Sequence, residues 1–193
     1  MTDRQPDFPI DPIFHTRWSP RAFAPEPMPE TDLLRALEAA RWAPSAYNVQ
    51  PWRFVYALRG DAFWERFLDV LVPFNRSWAA NASALVFVVS DTLLRYEGEL
   101  SPSRSHAFDA GAAWAQLALQ ATQLGWHAHG IGGLDYDRAH ALLGVPEGFR
   151  VEMAVAIGRR AAPETLPAEL REREAPSPRR PVREMAFRGG FPR

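Results

Sequence analysis

The chain has 193 residues, 22 basic against 23 acidic, with a formal net charge of −1. Such a balance leaves no broad basic field for nucleic acid or an anionic membrane, and the length suits one large domain with a substantial core. Cysteine is absent and so is lysine, every side-chain base besides histidine being arginine; this excludes disulfides, thiol nucleophiles, cysteine-ligated iron–sulfur clusters, Schiff bases, lysine-attached pyridoxal phosphate and the P-loop lysine.

The opening stretch "MTDRQPDFPIDP" has acids and prolines where a signal peptide needs an apolar core. No apolar run reaches the roughly 18 residues of a membrane span, so a cytosolic protein is expected. Next, "TRWSPRAF" sets Arg17, Ser19 and Arg21 two apart, and in extended backbone all three project to one side. Two guanidinium forks around a hydroxyl suit a phosphate or another oxygen-rich edge; a solvated arginine stripe is the plainer alternative. "PETDLLRALEAARWAP" reads as a helix that begins at Glu30 or Thr31 and is stopped by Pro44.

"APSAYNVQPW" follows, a turn bounded by prolines and rich in amides. Asn48 and Gln50 offer paired donors and acceptors that suit the imide edge of a uracil-like ring, or that cap the backbone of the turn itself. "PWRFVYAL" has the aromatic and β-branched content of a strand, "GDAFWERFLDVL" that of an amphipathic helix between Gly60 and Pro73, and "SALVFVVS" that of a strand buried on both faces. The polar, aperiodic "LLRYEGELSPSRSH" points to a loop or lid within residues 91–107.

From Phe108 to Gly125 the chain is apolar or small almost all the way round a helix, with Asp109 near its start. A helix without a polar face is normally buried, here partly against a second copy, so a homodimer is expected. "WHAHGIGG" then suggests a strand ending in a glycine turn, "DYDRAHALLG" a short helix and "RVEMAVAIG" a last alternating strand. His127 and His129 fit either packing positions or one side of a metal site. "GIGGLD" is not a dinucleotide loop, because the third glycine of G-x-G-x-x-G falls on Asp135. The tail from Arg160 is rich in Pro, Arg and Glu, a composition compatible with disorder, and carries a second basic pair, Arg179 and Arg180. Strands and helices in mixed order make a single α+β domain over 1–193.

Taken together, "HTRWSPRAF", "AARWAPSAYNVQPWRFV", "NRSWAANASALVFVV", "FDAGAAWAQLALQATQLGW", "GIGGLD" and "SPRRPVREMAF" resemble the FMN-dependent nitroreductase family over nearly the whole chain. The resemblance implies a three-layer sandwich around a mixed, mainly antiparallel sheet, assembled as an intertwined homodimer with two FMN sites at the interface. It implies electron transfer from NAD(P)H to nitroaromatic, quinone or related acceptors by a ping-pong mechanism at flavin N5; a non-enzymatic FMN-binding or redox-sensing dimer of the same fold is the alternative. Arg17 and Ser19, beside Trp18, would contact the phosphate and ribityl end, and Arg21 the pyrimidine side and the charge of the reduced flavin. Pro44, Ser45, Ala46 and Asn48 would line the ring of the other subunit's flavin, with Gln50 and Trp52 fixing their turn. Asn75 would bond the ring, Gly132 and Gly133 would face N5, and Arg179 with Arg180 would return to the phosphate on an arm, 160–193, wrapped around the partner. The chain departs from the family in carrying Trp78 where some members have a lysine near flavin N1, Gly132 where some have glutamate, and Ser177 where a second base often stands.

Overall fold

The computed structural model describes residues 4–192. In chain order it forms α1 (Ile13–Thr16), β1 (Phe23–Ala24), α2 (Glu30–Arg41), β2 (Trp52–Leu58), α3 (Trp64–Leu68), α4 (Pro73–Ala79) and β3 (Ala84–Asp91). Then come β4 (Leu93–Tyr96), β5 (Glu99–Pro102), α5 (His106–Gln123), β6 (His127–Ile131), α6 (Tyr136–Leu142), β7 (Phe149–Arg160) and α7 (Ala168–Arg171). Single 3₁₀ turns occupy Ala46–Asn48, Pro163–Thr165 and Val182–Glu184.

β3 lies between β2 and β7, and the other edge of β7 pairs first with β6 and then with β1. Every pairing among the described residues is antiparallel, so within the single chain nothing parallel fills out the mixed sheet that was expected. The continuous apolar run in β3 is explained by burial on both faces. Leu85, Phe87 and Val89 pack with Trp64, Phe67, Trp78 and Leu170, while Ala84, Val86 and Val88 pack with α2 and α5. The sheet is therefore the middle of three layers. Removing a side chain such as Phe87, which has no exposed surface, costs about 3–5 kcal/mol.

A β-bulge opposite Val88 and Val89 breaks the alternation of β7, so Val151 joins one core and Met153 the other. Glu152, in that bulge, is clamped by two Arg150 N–H groups at 3.1 and 3.0 Å and accepts the Ser90 hydroxyl at 2.5 Å. His106 Nδ1 lies 2.8 Å from the same hydroxyl, which ties the first turn of α5 to the sheet.

Three sequence expectations change, and one open alternative narrows. Residues 91–107 are not an aperiodic loop: β4 and β5 form a hairpin across Glu97 (φ 50°) and Gly98 (φ 83°), the left-handed pair that a two-residue hairpin turn requires. The helix read between Gly60 and Pro73 shrinks to Trp64–Leu68. Pro73 begins the unforeseen α4 rather than ending a helix, since the first helical position needs no N–H. The tail is ordered at least at its root, where Leu166 and Leu170 are buried and cover the α3–α4 side of the core. No helix of the described residues is long and apolar enough to cross a membrane.

Candidate functional site

The segment 17–22 leaves α1 in extended conformation, with Arg17 at φ −63° and ψ 129°. Its backbone is held from far along the chain: both carboxylate oxygens of Glu174 accept the Arg21 N–H, at 2.9 and 3.0 Å, and one also accepts that of Ala22 at 2.9 Å. Arg17 donates to the Ser19 hydroxyl at 3.3 Å, and Arg4 donates to the Arg17 carbonyl at 3.2 Å. The pocket so formed has a volume of about 200 Å³ and is lined by Arg4, Arg17, Trp18, Ser19, Arg21, His129, Arg173, Ala175, Ser177 and Arg179.

Five arginines around one small cavity repel one another. Burial first, then Arg179 and Arg4, push the Arg17 guanidinium below its usual range; burial and then Arg173 do the same to Arg21, with Glu174 opposing. Arg21 Nε is buried with no hydrogen-bond partner. Concentrated, partly desolvated donors with an orphaned N–H are matched by an anion rich in oxygen, and a phosphate monoester suits the forked geometry.

Sequence reasoning placed Arg17, Trp18, Ser19, Arg21 and Arg179 here, and the structure brings them together. Arg179 also donates to the carbonyls of Ser177 and Pro178. Arg180 lies instead in a neighbouring cavity between the N-terminal arm and the tail, lined also by Phe8, Ile10 and Phe14. Arg4, Arg173 and Glu174 were missed. They sit in stretches with no periodicity, and only the fold shows that they converge. His129 was weighed as a packing or metal residue; its ring packs on Trp78 with centroids 4.6 Å apart, and Nδ1 lies 2.9 Å from the Pro20 carbonyl. Burial is the main reason its pKa falls to about 4, with Arg21 and Arg17 adding and the Pro20 and Ser19 carbonyls opposing. Among the described residues no group of three or more His, Asp or Glu is arranged to hold a metal ion.

β6 leads from His129 to the glycine turn. Asn75 Nδ2 donates to the Gly133 carbonyl at 3.0 Å, Val72 N–H donates to the same oxygen at 3.1 Å, and the Tyr136 hydroxyl donates to the Gly132 carbonyl at 3.1 Å. A Cβ on Gly133 would lie 2.4 Å from Asn75 Nδ2 and 3.2 Å from Val72, so a larger residue there would displace the Asn75 amide. Asn75, Gly132 and Gly133 thus form one hydrogen-bonded corner.

The turn at 44–50 is a separate construction. Tyr47, Asn48 and Gln50 have φ of 52°, 55° and 49°, a left-handed run without glycine. Ser45 Oγ accepts the Gln50 N–H at 3.0 Å, Gln50 Nε2 donates to the Asn48 carbonyl at 3.0 Å, and the buried Asp109 accepts the Ala46 N–H at 3.2 Å. Ser45 and Gln50 are therefore spent on the turn, as the capping alternative has it. The Asn48 side chain takes part in none of these bonds and is exposed. Tyr47 stacks on Tyr96 of the hairpin, centroids 4.5 Å apart. No residue of the 44–50 turn lines the arginine pocket of its own chain.

With these features in place, the comparisons define the class. The model of the nitroreductase family matches residues 15–159. A solved oxidoreductase containing FMN superposes with a TM-score of 0.96 and is 51% identical, the match covering 100% of this chain and 98% of the other. A 15.4 kDa protein of Mycolicibacterium smegmatis is 37% identical over 146 residues, 71% of this chain and 95% of its own. An NADH dehydrogenase of Thermus thermophilus is 30% identical over 168 residues, 74% of this chain and 82% of its own. The chain belongs to the nitroreductase family, and its fold and kin are those of an oxidoreductase.

Proposed function

We propose that the chain is an FMN-dependent oxidoreductase of the cytosol that carries electrons from NADH or NADPH to a small nitroaromatic, quinone or related acceptor, working as a homodimer with shared sites. The observation that carries this reading is the arginine pocket. Its crowded guanidinium groups fit the phosphate end of FMN, and a 51% identical protein is described as containing FMN. The T. thermophilus relative's name supports a nicotinamide as the electron source.

In this arrangement Arg17, Ser19 and Arg179, with Arg4, hold the phosphate, and Arg21 places positive charge beside the electron-rich pyrimidine edge. Asn75 and the Gly132–Gly133 corner position the ring. The 44–50 turn of a second copy, with Pro44, Ser45, Ala46 and the unspent amide of Asn48, closes the other side and excludes water. When bound, FMN supplies the two-electron chemistry; the chain supplies orientation and charge. Alternate use of one face by nicotinamide and acceptor follows from there being one ring for both.

Two features support the dimer. Phe108 and Trp42, 82% and 71% exposed, flank the 44–50 turn and the start of α5, an aromatic surface of the kind that interfaces cover. The tail beyond Arg171 is mostly exposed in the single chain, which suits an arm that crosses to a partner.

The test is the absorption spectrum of the purified protein before and after anaerobic NADH or NADPH. A yellow protein bleached by either nicotinamide supports the proposal. One that stays colourless after incubation with FMN overturns it, and one that is yellow yet reduced by neither points to the non-enzymatic flavin-binding dimer.

A further inference from the structure

We propose that His129 takes up a proton when an anion enters the arginine pocket, so that the pocket gains a further cation only when it is filled. This deepens the proposed function and rests on reading the pocket as a phosphate site. The ligand class is a phosphate monoester or an equivalent oxyanion.

Two backbone carbonyls, those of Pro20 and Ser19, lie against the ring, and the first commits one of its nitrogens. Nδ1 lies 2.9 Å from the Pro20 carbonyl, which can only accept, so Nδ1 carries a hydrogen and Nε2 is the atom that binds the next proton. The ring is fixed against Trp78 of α4 and forms part of the pocket wall. The charged groups around it are all accounted for by element: Arg17 and Arg21 from the segment after α1, Arg4 from the N-terminal arm, and Arg173 and Arg179 from the tail. α4 contributes the uncharged Trp78 ring. Glu174, the acid at this cluster, is engaged by the N–H groups of Arg21 and Ala22.

Burial and neighbouring cations keep His129 neutral, with its pKa down at about 4. The arginines stay charged whatever the pocket contains; among the pocket residues the histidine is the one whose charge can change between about pH 4 and 7. An incoming dianion offsets part of the arginines' positive field at the ring, so protonation and anion binding favour one another by the same factor. If the His129 midpoint rises by about two pH units in the filled pocket, anion affinity at pH 5 exceeds that at pH 8 by about tenfold.

The experiment follows the five histidines of the full chain by NMR of ¹³Cε1-labelled protein, with His129 assigned through His129→Gln. Titrations are run without ligand and with saturating sulfate, FMN or riboflavin. Sulfate is a dianion throughout the range and brings no proton of its own. The expected result is a His129 midpoint raised by at least one pH unit with sulfate and with FMN, and left in place by riboflavin, which lacks the phosphate. An unchanged midpoint with FMN bound overturns the coupling and leaves the flavin reading standing. A rise with sulfate in a protein that binds no FMN supports the coupling and overturns the flavin reading. An equal rise with riboflavin overturns the anion as the cause. Sulfate affinity gives the second arm: both His129→Gln and His129→Asn, the latter able to keep a donor toward Pro20, flatten the tenfold pH dependence, and persistence of that dependence in both variants overturns the proposal.

Discussion

The arginine pocket and the 44–50 turn solve opposite problems. The pocket is assembled from Arg4, Arg17, Arg21, His129, Arg173 and Arg179, separated by up to 175 positions in the chain, and it leaves Arg21 Nε without a partner among cations that repel one another. The turn is built from seven consecutive residues, and two of its three polar side chains other than Tyr47 are consumed in holding its own left-handed backbone. One region stores unmet hydrogen-bonding capacity for a ligand; the other stores backbone strain of order 1–3 kcal/mol per left-handed residue to present Asn48 and Tyr47 outward. Ligand affinity should therefore respond to side-chain changes in the pocket, and in the turn to little besides Asn48.

The largest effect is expected from the double substitution Arg17→Ala and Arg179→Ala. Two lost charged hydrogen bonds of roughly 1.5–3 kcal/mol each weaken FMN binding by about 10²–10⁴-fold, measurable by fluorescence titration. Undiminished affinity would remove the pocket from the ligand site altogether.

Next in size is the acid response. The folded-state pKa of His129, about 4, is below the ordinary value of 6.5, so its neutral form is favoured by folding. That contribution is complete above pH 6.5 and is lost as pH falls toward 4, amounting to about 3 kcal/mol. Urea unfolding at a series of pH values should show this loss in the wild type and its absence in His129→Gln, the difference between the two curves isolating it from carboxylate titration. Parallel curves would mean that the ring titrates in the folded protein as it does in the unfolded chain.

Glu174→Gln comes third. Replacing the carboxylate that accepts the Arg21 and Ala22 N–H groups should lower unfolding stability by about 1.5–3 kcal/mol and loosen the 17–22 segment. Hydrogen exchange at those two amides is the check, and unaltered protection would show that the loop holds itself.

The smallest effect is the sharpest for the comparison. Asn48→Gly keeps a residue at ease with φ near 55° and deletes the unspent amide, so stability should stay within about 0.5 kcal/mol while FMN affinity falls about tenfold. Asn48→Ala, strained in the same conformation, should also cost about 1 kcal/mol in unfolding. Equal stability of the two variants would argue that the turn relaxes without its asparagine.

Much of this was legible in the amino-acid order because it is governed by local periodicity. The run 84–91 declared a strand covered on both sides, α2 declared itself by helical spacing and a proline stop, α5 by an apolar run with a glycine stop, and Arg17, Ser19 and Arg21 announced a shared face through their separation by two. The hairpin of β4 and β5 was obscured because its strands are exposed or partly exposed and carry no apolar alternation; only Glu97–Gly98 hinted at the turn. α4 was hidden by Pro73, a residue that ends helices and equally well begins them.

What local order left undecided was convergence and occupancy. Whether Ser45 and Gln50 face a ligand or their own backbone depended on φ angles that no pattern encodes. Arg4, Arg173 and Glu174 acquire a role only when the sheet and tail bring distant loops to one point, and His129 changes from a packing histidine to a pocket wall because β6 sets it between Trp78 and the arginines. Periodicity is written by each segment's need to bury one face; electrostatics at a site depends on which segments meet, and that is settled by the folding of the whole chain.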